Sequence, residues 1–125
     1  MFDHLSLGVR DLAAARGFYD AVLAPLGAAL ASASARELAY GPDGQSSRFY
    51  LYPVEGAQVA GLGAHLAFTA PARLAVDAAF AHAVAGGASV IRAAGPHPDI
   101  APDYYGCVIL DPDGNKLEII AGTMH

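Results

Sequence analysis

The sequence predicts an α+β domain made from one βαβββ module used twice, and three observations carry that expectation. Strands opening with "HL" begin at His4 and His65. Each is followed by a stretch of helical periodicity, and each half has a "PDG" turn before its last strand, at Pro42 and at Pro112. Looking for such a repeat comes first because two units this short cannot each bury a sheet alone. Module 1 is expected over about residues 1–54, a linker over 55–62, and module 2 over about 63–125.

The elements follow in order. "HLSLGV" alternates as a strand should, with Leu5, Leu7 and Val9 on one face. Asp11 is a natural N-cap for the helix "DLAAARGFYDAVLAPLG". Its apolar residues Leu12, Ala15, Phe18, Tyr19, Val22, Leu23 and Leu26 keep helical spacing, and Gly27 can end it. Short strands are expected near residues 28–32 and 36–40, then the "GPDG" turn, then "SRFYLYP". In the second half "HLAFTA" is a strand, and Pro71 is expected in the first turn of the helix "ARLAVDAAFAHAVAGG". "SVIRA", "YYGCVIL" and "NKLEIIA" complete the module, with "DPDG" between the last two.

Composition bounds the function. The 125 residues are 54% hydrophobic and 15% charged, which is a globular balance. Net charge is −5 and no basic run occurs, so nucleic-acid binding is not expected. No apolar stretch reaches the ~18 residues of a membrane span. The start "MFDHLSLGVRD" has no signal-peptide pattern, and a cytoplasmic protein is expected. Cys107 stands alone and reads as a small core residue.

One residue breaks the pattern. Glu118 sits among Leu117, Ile119 and Ile120, and a carboxylate in an apolar strand must find a partner, stay solvated or shift its pKa. Alternation places Glu118 on the face away from the helix. The same reasoning places His4 and Ser6 there in the first strand, and His65 and Thr69 in the fifth. Two imidazoles and a carboxylate can hold one divalent cation and leave positions open for substrate. A metal would also compensate the burial of Glu118. The tyrosines of "YYGCVIL" depend on the turn. A three-residue loop with Gly114 left-handed pairs Val108 with Glu118 and puts Tyr104 on its face, whereas a two-residue loop selects Tyr105. A phenol there can position an oxygen-rich substrate or donate a proton.

His4 in "DHLSLGV", His65 in "GAHLAFTA" and Glu118 in "DPDGNKLEII", set in the duplicated plan, resemble the vicinal oxygen chelate superfamily. That group includes glyoxalase I, fosfomycin resistance proteins, extradiol dioxygenases and bleomycin resistance proteins. The resemblance spans nearly the whole chain and implies two modules forming a half-open curved mixed sheet around a cavity, usually in a homodimer. It implies a divalent metal (zinc, iron, manganese or nickel) on His4, His65 and Glu118, and Glu118 and Tyr104 are the expected catalytic residues. The reaction would be of lyase, isomerase, thiol-transfer or dioxygenase type on a small oxygen-rich substrate. Glyoxalase I members add a fourth, acidic ligand on the last strand of the first module. Here Arg48, Tyr50 and Tyr52 occupy the alternate positions, and Glu55 comes too late. The bleomycin resistance proteins share the fold without a metal, so a metal-free small-molecule binder is the alternative. Arg48, Tyr50, Tyr52, His97 and Tyr105 are the expected substrate contacts. His97 lies in "AAGPHPDIAPDYYG", an irregular stretch suited to a binding loop.

Overall fold

The computed structural model describes residues 1–56, 59–61 and 63–122. Its elements run β1 Leu5–Val9, α1 Leu12–Leu23, β2 Ala29–Ala33, β3 Leu38–Gly41, β4 Phe49–Pro53, β5 Leu66–Ala70, α2 Arg73–Ala85, β6 Ser89–Pro96, β7 Tyr105–Leu110 and β8 Lys116–Ala121. The repeat is therefore real at the level of backbone. Each half makes a four-stranded mixed sheet, ordered β1-β4-β3-β2 and β5-β8-β7-β6. The pairs β1/β4 and β5/β8 are parallel and the others antiparallel. Neither sheet closes. No backbone pairing joins them among the described residues, so β1 and β5 are both sheet edges.

Local chemistry explains the helices. The Asp11 side chain accepts from the N–H groups of Ala13 and Ala14 at 2.9 and 3.1 Å, as an N-cap does. The α-helix stops at Leu23, earlier than periodicity suggests, because Pro25 has no N–H to offer. A 3₁₀ turn over Ala24–Leu26 continues the apolar face, and Gly27 closes it at φ 81°. Pro71 lies before α2 rather than in its first turn, since the helix begins only at Arg73. Gly86 caps its end by donating to His82 O at 2.9 Å.

Both sheets turn their helix-facing sides into one common core. Val9, Leu51 and Tyr19 from module 1 and Ala70, Val76, Ile109, Leu117 and Ile119 from module 2 belong to it. Phe49 of β4 meets Phe68 of β5 edge-on at 5.3 Å, across the module boundary. Cys107 is a fully buried member of this core, and burial pushes its thiol up to about 11.

A second, polar tie joins the modules. Asp111 and Asn115 flank the last turn, and both are buried. Asp111 Oδ2 accepts from the Tyr19 hydroxyl of α1 at 2.6 Å and from Asn115 Nδ2 at 2.9 Å. Its Oδ1 accepts from the N–H groups of Asp113 and Asn115. Asn115 Nδ2 also donates to Gly8 O of β1 at 2.9 Å. Arg10 reinforces the tie from the surface, its N–H donating to Asp113 Oδ1 at 2.9 Å. The "DPDGN" segment is thus more than a turn: it buckles module 2 onto module 1. Among the described residues no helix is long and apolar enough to cross a membrane.

Candidate functional site

The hairpin between β7 and β8 decides which side chains meet. Asp111 N–H donates to Asn115 O at 2.8 Å across a three-residue loop, and Gly114 takes φ 93°, the left-handed value such a loop requires. Val108 consequently pairs with Glu118, and Tyr104 falls on the Glu118 face. The Tyr104 hydroxyl donates to Glu118 Oε1 at 2.7 Å. On the other side, Ala67 of β5 is the register partner of Glu118. His65, just before β5, brings Nε2 to 3.7 Å from Glu118 Oε2. The carboxylate side chain is 13% exposed and the imidazole 49%, so the pair sits at the rim of the sheet face with one side open.

Tyr104 is almost fully buried, and Gly106 makes that possible. A Cβ at residue 106 would stand 2.7 Å from the Tyr104 hydroxyl and 2.5 Å from Ile119 O, so the ring lies directly over the glycine. A glycine inside an apolar strand, as in "YYGCVIL", is the sequence signal of such a close approach. Burial, then the bond to Glu118, holds the Tyr104 phenol well above its ordinary pKa, so it remains a proton donor. His97 packs its ring 5.7 Å from that of Tyr104, while its Nε2 lies 2.8 Å from Ala93 O. Arg92 stands in register with Val108 on β6 and forms an ion pair with Asp99 at 2.9 Å.

Three expected contacts lie on the other sheet. Tyr50 and Tyr52 stack 6.1 Å apart with their planes 9° from parallel, and His4 meets Tyr50 edge-on at 5.4 Å. His4 Nδ1 is 2.6 Å from Asp3 Oδ1, a hydrogen bond that lowers the pKa of Asp3. Arg48 donates to Asp3 O at 3.2 Å. His4 is therefore separate from His65 and Glu118 within one chain. Among the described residues no three His, Cys, Asp or Glu side chains converge well enough to hold a metal ion. Tyr105 is a correction to the expected contacts. Its hydroxyl donates to Asp77 of α2 at 2.7 Å and Arg73 lies over its ring at 4.9 Å, on the side of the sheet away from Glu118.

Fold and site define a class. The family model of the Glyoxalase/Bleomycin resistance protein/Dioxygenase superfamily matches residues 1–119, and the chain belongs to that superfamily. Among solved structures it is similar to a glyoxalase/bleomycin resistance protein from Albidiferax ferrireducens. The two are 30% identical, with 97% of this chain and 98% of that one covered and a TM-score of 0.82. A putative glyoxalase from Bacillus halodurans is 25% identical over 97% and 95% of the two chains, at TM-score 0.68. The fosfomycin resistance protein FosX from Mesorhizobium loti shares the fold at TM-score 0.72 and 18% identity, covering 99% and 93%. No curated protein matches by sequence.

Proposed function

We propose that the chain is a metal-dependent enzyme of the vicinal oxygen chelate type, acting on a small substrate with two adjacent oxygens. The observation that carries this reading is the approach of His65 Nε2 and Glu118 Oε2 to 3.7 Å. Two ligand atoms bonded at about 2.0–2.2 Å to one cation stand roughly 3–3.5 Å apart, so the pair needs little movement to accept one. The donor types, imidazole and carboxylate, suit zinc, iron, manganese or nickel. Bound there, a divalent cation supplies Lewis-acid polarisation of the substrate oxygens. The chain's own residues do the rest. Val108 and the strand around Glu118 exclude water below the pair, half-exposed His65 leaves the upper side open to substrate, and Tyr104 stays protonated beside the carboxylate.

The third ligand would be His4 of a second copy. Support comes from two unpaired edges, β1 and β5, and from the module 1 face away from α1, which leaves Tyr52 about two-fifths exposed. The proposal is therefore a homodimer whose two sites are each shared between copies. A second reading, a metal-free binder of a planar molecule, draws on the stacked Tyr50 and Tyr52 platform.

Metal analysis of dialysed protein tests both points. Wild type is expected to hold about one cation per chain, as a dimer, and His4→Ala and His65→Ala to hold none. Unfolding the two variants together and refolding them should restore about a quarter of wild-type occupancy, because half the dimers then carry one intact site. No restoration would place the site within one chain. A metal-free wild type under metal-supplemented conditions would leave the binder reading.

A further inference from the structure

We propose that Tyr104 is a positioning residue that makes Glu118 a one-oxygen ligand, holding Oε1 so that only Oε2 is presented toward His65. This rests on the reading that His65 and Glu118 hold a cation. A carboxylate can bind a cation through one oxygen or both, and the choice sets how many positions remain for substrate. A substrate that chelates through two adjacent oxygens needs two positions, so a carboxylate that claims an extra one competes with it.

The geometry of this chain favours one oxygen. Oε1 accepts the Tyr104 hydroxyl at 2.7 Å, whereas among the described residues Oε2 has the more distant His65 nitrogen at 3.7 Å. Turning Oε1 toward a cation would strip a phenol that is 5% exposed of its acceptor, and a buried donor without an acceptor is costly. The phenol cannot follow easily. Beneath it the ring lies on Gly106, where even a methyl would stand 2.9 Å from Cζ. Beside it stands the His97 ring at 5.7 Å. The backbone is held too: Tyr104 N–H donates to Ala101 O at 3.1 Å, and Tyr104 O accepts from His97 N–H at 3.3 Å. The loop from His97 to Tyr104 therefore acts as a bracket whose last side chain reaches the carboxylate. Tyr105 supplies a matched control, one residue away with its own phenol–carboxylate bond, to Asp77 on the opposite face.

Cobalt(II) titration of the full-length protein tests this, with dissociation constant and visible absorption as readouts. Tyr104→Phe frees Oε1 for the cation, so it is expected to change the Kd about ten-fold, the scale of outer-shell changes at metal sites, and to alter the cobalt spectrum toward higher coordination. Tyr105→Phe should keep the wild-type values for both. An unchanged Kd together with an unchanged cobalt spectrum in Tyr104→Phe overturns the assignment while leaving the cation site standing. A folded wild type that binds no cobalt removes the cation site and this assignment together. X-ray absorption of the wild-type cobalt protein needs no variant. It should lack the short cobalt-to-carboxyl-carbon distance that two-oxygen binding imposes, and finding that distance would also overturn the proposal.

Discussion

The two sheets carry the same plan and different chemistry at the same place. In the first, Ser6 of β1 pairs with Tyr50 of β4, and in the second Ala67 of β5 pairs with Glu118 of β8. Tyr50 thus holds in module 1 the position that Glu118 holds in module 2, and a histidine stands just before each first strand. The outcomes diverge. His65 faces a carboxylate at 3.7 Å, while His4 meets an aromatic ring at 5.4 Å and turns its Nδ1 to Asp3. A duplicated backbone delivers a histidine to a last-strand residue twice, and one side chain decides what the meeting can do. The turns differ in the same way. Asp43 serves its own exposed turn, accepting from the N–H groups of Gln45 and Ser46, whereas Asp111 is buried and also takes the Tyr19 hydroxyl of the other module.

The largest test of that contrast is Asp111→Ala. It leaves a buried phenol and loosens a buried amide, and should cost about 3 kcal/mol in denaturant unfolding. Asp43→Ala should shift the unfolding midpoint far less, and equal losses would show that the two turns are equivalent after all. Next comes Tyr50→Glu, which writes the module 2 residue into module 1 beside His4. If the two positions come together in a shared site, cation affinity should rise about ten-fold by calorimetry, through an added charged ligand. No gain would separate the positions. The smallest effect concerns Cys107, which pairs with Ile119 as Leu38 pairs with Leu51 in the first sheet. With its thiol raised to about 11, little thiolate exists at pH 8. Thiol reagents should react with the native protein only at the rate of unfolding, and immediately in denaturant. Rapid native labelling would contradict the burial.

Much of the second module's site was legible because it depends on short-range rules. Alternation put Glu118 on the face away from α2 and narrowed its neighbour to Tyr104 or Tyr105, and the left-handed Gly114 of the three-residue loop in the structure chose Tyr104. Reading Gly106 as a close approach would have added the buried tyrosine above it. Tyr105 as a substrate contact failed for the same period-two reason, since choosing Tyr104 for one face sends its neighbour to the other, against Asp77. Helix ends were legible to within a turn, with Pro25 and Pro71 each moving a boundary by its missing N–H or its fixed φ.

By itself, then, the sequence determined the repeat, the strand faces and the choice between Tyr104 and Tyr105 as the neighbour of Glu118, all of which follow from periodicities and turns of a few residues. Only the tertiary structure decided how the halves meet. Both helix-facing sides share one core, with Phe49 against Phe68. That arrangement separates His4 from Glu118 and draws Asp111 onto Tyr19. The physical reason is range. Burial of apolar surface is non-directional and sums over the whole chain, so no local pattern encodes which faces pack together.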